Sequence, residues 1–210
     1  MTAKPSGTTQ TSRALAAAAL LFCMGITTAP TQAQTSVQPN LGQLALCAAC
    51  HGAQGNSQIP SIPSLAGQPK TFIENQLVLI REGIREVPQM KGLLDKITDE
   101  EFITLANYFA AQTPTKATTS AVNNATYLRG QETAKKMLCG TCHLPNYVGQ
   151  NQIPRLAGQH EEFLVLSIKQ FRDGNSAGRD TNMTAAVQGV KDGDIADLAH
   201  YLAHYLAHFK

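Results

Sequence analysis

The sequence predicts an all-α protein built from two tandem helical domains related by internal duplication. Three pairs of segments carry this prediction: "CAACH" (47–51) and "CGTCH" (139–143), "LAGQ" (65–68 and 156–159), and "TDEEFITLANYFA" (98–110) with "KDGDIADLAHYLA" (191–203). Their offsets are 92, 91 and 93 positions. An offset this long and this constant indicates a duplicated domain and not a solenoid repeat. No segment shows the strict alternation of apolar and polar residues that half-buried strands require.

The N-terminal segment 1–33 has the pattern of a secretory signal peptide. Lys4 and Arg13 precede an apolar run of 13 residues from Ala14 to Ile26, and small polar residues follow. Cleavage is expected after Ala33. A permanent span needs about 20 apolar residues, so an uncleaved anchor is the weaker alternative. Cys23 is expected to leave with this segment.

The rest of the chain is long enough for two small domains, predicted at 34–113 and 126–210 with a polar linker at 114–125. The chain has 17 basic and 15 acidic residues, and Lys4 and Arg13 account for the excess, so the remainder is neutral. Nucleic acid is therefore not an expected partner. Trp is absent and aromatic residues make up only 6% of the chain, which is little material for two cores.

Apolar spacing predicts helices in each half. Thr98 and Glu101 form a capping-box signature for a helix through residue 110, and a second helix over 70–83 ends at Gly83. The equivalent helices cover 161–174 and a final stretch from about Asp194. A further helix over 127–138 leads into the second cysteine pair.

Three chemistries compete for the paired cysteines. A zinc site would pool thiolates, with or without histidines, at one tetrahedral metal, and a redox dithiol would lie in a βαβ context. Neither explains why His51 and His143 directly follow the second cysteine of each pair. Covalent haem attachment does, because each thiol can form a thioether to a haem vinyl group while the adjacent histidine binds the iron. Cysteines three positions apart share one face of a helical turn.

The opposite axial ligands are predicted to be Met90 and Met183. They follow the motif histidines by 39 and 40 residues, and each precedes the last helix of its half. Core packing, the commonest role of methionine, is the alternative. His160 is a rival in the second half, but Pro69 takes its place in the first. Met137 lies two residues before the motif, which is a poor position for reaching the far side of the haem.

Pro63 and Pro154 follow the motif histidines by 12 and 11 residues, each within P-x-L-x-G. Both are expected in a turn before a helix. Their carbonyls are also expected to accept the ring N–H of the ligand histidine and so to fix its orientation.

These motifs together resemble the class I cytochromes c, and their tandem arrangement with "IPxLAGQ" in both halves resembles the di-haem cytochrome c4 family over roughly residues 38–210. The resemblance implies two haem domains related by a pseudo-twofold axis, with haem propionates approaching each other at the interface. It implies attachment through Cys47, Cys50, Cys139 and Cys142, proximal ligands His51 and His143, and distal ligands Met90 and Met183. The chain departs from the family in its histidine-rich end, "AHYLAHYLAHFK" (199–210).

The resemblance further implies a periplasmic protein, possibly loosely membrane-associated, that passes electrons from a quinol-oxidising bc-type complex toward a terminal oxidase. Redox proteins are the expected partners, and neither catalysis nor a small-molecule substrate is expected. The alternatives are a haem subunit of a dehydrogenase and a di-haem peroxidase. His200, His204 and His208 lie on one helical face; a solvent or interdomain position is expected in preference to a metal site.

Overall fold

The structure, a computed structural model, describes residues 38–117, 121–175 and 177–205. The first half contains α1 (Leu41–His51), α2 (Lys70–Arg81) and α3 (Asp99–Ala110); the second contains α4 (Asn124–Lys136), α5 (Cys139–His143), α6 (Glu161–Arg172), α7 (Thr181–Ala186) and α8 (Asp192–His204). Short 3₁₀ turns cover Ala53–Gly55 and Pro88–Met90. The one β feature in the described ranges is an isolated bridge between Gln150 and Ile153, so the all-α prediction is confirmed.

Two sequence predictions fall outside the described residues: the signal peptide at 1–33 and the position of His208. Across the ranges that the structure describes, no helix is both long enough and apolar enough to cross a bilayer.

The helix ends follow local chemistry. Thr98 and Glu101 form the predicted capping box, in which the Glu101 carboxylate accepts from the Thr98 N–H at 2.8 Å. Gly83 and Gly174, with φ of 67° and 74°, end α2 and α6. These positive φ values suit glycine because it lacks a Cβ. Both helices therefore end two residues earlier than the predicted ranges.

The two halves differ at the approach to the cysteine motif. In the first half, α1 runs without interruption through the motif. In the second, α4 begins at Asn124, inside the range predicted as linker, and ends at Lys136. Leu138 then takes a left-handed φ of 56°, and the motif forms the separate helix α5. A non-glycine residue rarely adopts this conformation, which explains why helical spacing alone predicted one helix through 138.

Each half has its own apolar core. The first consists of Ile73, Leu94, Ile97, Phe102, Leu105, Ala106 and Phe109. The second includes Leu164, Ile168, Phe171, Val187, Ile195, Leu198 and Leu202. In the second half α4 crosses α8 at Gly130, where an added Cβ would lie 2.0 Å from the Asp197 carbonyl oxygen. Only glycine permits helices to approach so closely.

An arginine at the end of α2 and its counterpart at the end of α6 repeat one contact. Arg81 donates to the Ile97 carbonyl at 3.1 Å and pairs with Asp99 at the start of α3. Arg172 donates to the Val190 carbonyl at 3.1 Å and pairs with Asp192 at the start of α8. Each arginine thus ties the middle helix of its half to the beginning of the last one.

The halves meet through a reciprocal exchange of hydrogen bonds. The Gln68 amide accepts from the Arg155 backbone N–H at 2.9 Å and donates to the Arg155 carbonyl at 3.1 Å. The Gln159 amide does the same to Ser64, at 2.8 and 3.0 Å. All four residues are buried. Equivalent residues exchanging equivalent bonds is what a two-fold relation produces.

Further buried contacts reinforce this interface. The Arg155 guanidinium donates to the Ala66 carbonyl at 3.0 Å, and burial lowers its pKa to about 10. The His160 ring donates from Nε2 to the Ser57 carbonyl at 3.0 Å. The segment between the halves is also fixed, since the Ala117 N–H donates to the Gly158 carbonyl at 3.1 Å. The halves are therefore held by directional bonds, and not by apolar contact alone.

We expect Gln159→Ala to lower the free energy of unfolding of the haem-loaded protein by about 1–3 kcal/mol, because it leaves the buried Ser64 backbone groups without partners. Urea unfolding followed by circular dichroism measures this. Gln188→Ala, at an exposed glutamine, is the matched control and should change stability by less than about 0.5 kcal/mol. Equal effects of the two substitutions would contradict a structural role for Gln159.

Candidate haem sites

The first cysteine motif occupies the last turn of α1. Cys47 is half-buried and packs against the first core, whereas Cys50 is exposed. Burial raises the pKa of the Cys47 thiol. Both thiols are free, with no disulfide between them. They are spaced as a helical turn requires for attachment to one planar group.

The histidine of this motif is held by the first predicted proline. His51 Nδ1 donates to the Pro63 carbonyl oxygen at 2.8 Å. A carbonyl only accepts, so the proton is on Nδ1 and Nε2 keeps its lone pair for a metal. Burial lowers the pKa of His51, which favours the neutral imidazole that a metal ligand must be.

The second motif repeats this arrangement on α5. His143 is buried, and its Nδ1 donates to the Pro154 carbonyl oxygen at 2.9 Å. Burial lowers the pKa of His143 and raises that of the Cys139 thiol to about 11. Cys142, like Cys50, is exposed.

Each proline carbonyl is positioned by the P-x-L-x-G loop that contains it. In the first half the N–H groups of Leu65 and Ala66 both donate to the Gly55 carbonyl, and that of Gly67 donates to the Phe109 carbonyl at 2.9 Å. The loop is therefore bound at one side to the turn after the motif and at the other to the end of α3.

The second half repeats these contacts. Leu156 and Ala157 donate to the Tyr147 carbonyl, and Gly158 donates to the Leu202 carbonyl at 3.0 Å. Gly67 and Gly158 have φ of 63° and 66°, so both loops need glycine at the point where they meet the last helix of their half.

The two methionines lie at matched places in the fold. Met90 ends the 3₁₀ turn before α3, and Met183 lies in the first turn of α7, before α8. Both are half-buried. Met90 packs against the same core as Cys47, and Met183 against the same core as Cys139. The Asp180 side chain caps α7 by accepting from the Met183 N–H at 3.2 Å.

The rival ligands are engaged elsewhere. His160 uses its Nε2 to bind Ser57 of the first half. Met137 lies at the end of α4 and packs against the second core.

The expectation of a solvent position for His200 and His204 was wrong. Both are buried, because α8 is covered on this side by the start of α6 and by the connecting segment. His200 contacts the Glu161 carboxylate through Nδ1 at 3.0 Å and accepts from the Asn123 N–H through Nε2 at 3.1 Å. His204 donates from Nδ1 to the His200 carbonyl at 2.9 Å. Their ligand atoms and that of Glu161 lie within 4.8 Å of one another, but the ring nitrogens of His200 are already used by these protein contacts.

Sequence reasoning missed the role of Gln68 and Gln159. The repeated "LAGQ" served only as a landmark of the duplication, although its glutamine forms the interface. A polar residue repeated at the end of an otherwise apolar segment was the available signal.

The residues present in each half fit a covalently attached haem. The donor set is two thiols one helical turn apart and a neutral imidazole whose other nitrogen is fixed by a carbonyl. Ligand histidines in proteins usually have such a fixed second nitrogen.

Comparison with known proteins agrees with this geometry. Residues 127–205 match the family model described as cytochrome c, and residues 43–109 match that of the cbb3-type cytochrome c oxidase subunit III. The chain is 32% identical to cytochrome c4 of Azotobacter vinelandii over 87% of this chain and 95% of that protein. It is 28% identical to the thiosulfate dehydrogenase electron acceptor of Thiomonas intermedia over 65% of this chain and 67% of that protein.

The fold gives the same answer. The crystal structure of reduced cytochrome c4 from Pseudomonas stutzeri matches with a TM-score of 0.72 at 30% identity, over 79% of this chain and 96% of that one. The two cysteine motifs, the two helical halves and these likenesses are mutually consistent. The chain therefore belongs to the cytochrome c4 family of electron-transfer proteins and carries two covalently bound c-type haems.

Proposed function

We propose that this protein is a periplasmic electron carrier that accepts electrons from a quinol-oxidising bc-type complex and delivers them toward a terminal oxidase. The observation that supports it best is the repeated pairing of a motif histidine with a proline carbonyl, each pair accompanied by a methionine at the matched position before the last helix. Two such centres in one chain suit relay of single electrons between protein partners.

Each residue has a defined role in this proposal. Cys47 and Cys50 attach the first haem, with His51 and Met90 as its axial ligands. Cys139 and Cys142 attach the second, with His143 and Met183 as axial ligands. The bound haem supplies one-electron redox chemistry. A thioether ligand favours the reduced iron and raises the reduction potential.

The proline carbonyls of Pro63 and Pro154 orient the ligand histidines. The bond to Nδ1 fixes the tautomer and the ring plane, so Nε2 is presented in one direction. Burial, which lowers the pKa of both histidines, keeps them neutral near pH 7. Ligation is then lost only on acidification, well below the ordinary histidine range.

A carrier is favoured over an enzyme by the ligand set. When histidine and methionine from the chain occupy both axial positions, no coordination position remains for a substrate. A peroxidase needs an open or releasable position on one iron. The proposed roles of Met90 and Met183 therefore separate the two functions.

A second candidate function is that of an electron-accepting partner of a dehydrogenase. The likeness to the thiosulfate dehydrogenase electron acceptor favours it. Both functions use the same haem centres and differ only in the electron donor. Affinity purification from the native host distinguishes them: stable recovery of a catalytic dehydrogenase subunit supports this candidate, and its absence from preparations that transfer electrons from a bc-type complex supports the carrier.

The export prediction supports a periplasmic location. Residues 1–33 read as a signal peptide, and the partners named above deliver or accept electrons outside the cytoplasm. Mass spectrometry of the mature protein would show a chain beginning after Ala33.

Axial ligation by methionine is tested with Met90→Ala and Met183→Ala. We expect the ferric wild-type protein to show the weak charge-transfer band of sulfur-bound iron for two haems, and each substitution to abolish half of it. We expect the reduced wild-type protein to bind carbon monoxide slowly and each variant to bind it promptly at one haem.

Met137→Ala is the matched control for these spectra and should leave both the band and the carbon monoxide kinetics unchanged. Prompt carbon monoxide binding by the wild-type protein at one haem would contradict the carrier and support the enzyme. A charge-transfer band that survives Met90→Ala would show that Met90 is not a ligand.

Haem attachment through all four motif cysteines is tested by counting thiols. We expect the mature, denatured protein to show no thiol that reacts with a chromogenic disulfide, because thioether bonds consume Cys47, Cys50, Cys139 and Cys142. Protein produced without haem maturation should expose these four. A single reactive thiol in the mature protein would have to be assigned by peptide mapping: Cys23 would mean that the leader is retained, and a motif cysteine would contradict two-point attachment.

A further inference from the structure

Two arginines in the loops before the proposed methionine ligands adopt matching conformations. Arg85 donates through Nη1 to the Gln76 side chain of α2. Arg179 donates through Nη1 to the Gln170 side chain of α6 at 3.3 Å and through Nη2 to Ser167 Oγ at 2.8 Å. Each arginine therefore folds back onto the middle helix of its own half. The Arg179 guanidinium carbon also lies 3.7 Å from the centre of the Phe171 ring, which holds this group in place.

The fold brings these two loops together across the interface. A Cβ added at Gly178 would lie 2.7 Å from the Ile84 carbonyl oxygen and 2.5 Å from its Cγ2, so the two backbones touch here. Arg85 and Arg179 are the next residues along the chain from this contact. Burial, and the charge of Arg85, lower the pKa of Arg179 to about 9. The two like charges therefore act on each other.

Neither arginine has an acidic partner among the residues that the structure describes. Carboxylates pair with Arg81, Arg129 and Arg172, but none lies within salt-bridge distance of Arg85 or Arg179. The acidic residues next to them in sequence are committed elsewhere or exposed: Asp180 caps α7, and Glu86 is exposed. Half-buried like charges in proximity raise the free energy of the folded state unless an anion compensates them.

The anions that this chain brings with it are the propionate carboxylates of its haems. Arg85 and Arg179 precede the proposed ligands Met90 and Met183 by five and four residues, so both lie in the loops that would face the haems. Guanidinium is well suited to carboxylate because its fork of donors matches two oxygens. The donors that remain beyond those used by Gln76, Gln170 and Ser167 are available for this purpose.

We propose that Arg85 and Arg179 form one shared cationic site between the halves, that this site binds propionates of both haems, and that it links their reduction potentials. The proposal rests on the haem attachment and ligation proposed above and is independent of the identity of the redox partners. Arg85 and Arg179 are positioning residues in this account, since they act on the iron through the propionates.

The linkage has a simple electrostatic basis. A fixed positive charge stabilises the reduced haem, which carries one more electron than the oxidised haem, and so raises the reduction potential. Because the two guanidiniums share one site, removing the charge of Arg85 in the first half changes the field at both irons. A site serving one haem alone would change one potential only.

The test is a spectroelectrochemical titration of the haem-loaded wild-type protein, Arg85→Gln and Arg85→Lys. We expect Arg85→Gln to lower both reduction potentials, by about tenfold in the ratio of reduced to oxidised haem at fixed potential, or ~59 mV, for the first haem. The shift at the second haem should be smaller but resolved. Arg85→Lys keeps the charge and should retain at least half of the wild-type potential difference from Arg85→Gln at both haems.

Arg129→Gln is the matched control, because Arg129 is exposed and lies on α4; both of its potentials should stay at wild-type values. Unchanged potentials in Arg85→Gln would overturn the proposal, and a shift at the first haem alone would overturn the shared site. An equal shift in Arg85→Lys and Arg85→Gln would show a structural effect and not a charge effect, and would also overturn it.

A free anion is the rival occupant of this site. If phosphate or chloride bound there, exchanging one for the other at constant ionic strength would shift the wild-type potentials and leave those of Arg85→Gln in place; that result would overturn propionate binding. The charge-transfer band of the same samples reports methionine ligation separately. Loss of that band in the wild-type protein would therefore count against the proposed axial ligands and not against the arginine site.

Discussion

The P-x-L-x-G-Q loop is the constraint on which both halves depend. Its proline carbonyl fixes the ring of the motif histidine, at 2.8 Å in the first half and 2.9 Å in the second. Its glycine meets the end of the last helix, and its glutamine binds the opposite half. One short segment thus sets the ligand, the core and the interface together. A shift of this loop would move all three at once, because backbone hydrogen bonds join them directly.

The duplication preserves this arrangement more faithfully than it preserves the sequence. The arginine contacts at the ends of α2 and α6 and the two glutamine contacts recur at equivalent positions. The approach to the cysteine motif does not recur, since α1 is continuous whereas Leu138 separates α4 from α5. Position 64 is serine, but its counterpart is the buried Arg155. These differences give the two haem environments unequal electrostatics within one shared design.

Local chemistry explains what the sequence could predict. The cysteine and histidine spacing, the Thr98 capping box and the glycine after α2 depend on neighbours within a few residues, and the prediction of a helical, duplicated chain followed from them. The pairing of His51 with Pro63 was predicted because the same spacing occurs twice. Tertiary contacts were harder. Helical periodicity placed His200 and His204 on one face but could not show that α6 and the connecting segment cover it, and nothing local marked Gln68 as an interface residue.

The glutamine exchange has a consequence for how charge moves inside the molecule. Four directional bonds between buried groups leave the halves no low-energy way to swing apart, since opening them would strand backbone donors and acceptors away from water. The separation of the two metal centres is therefore a constant of the fold. Internal hopping between them then needs no conformational gating, and its rate should be insensitive to solvent viscosity.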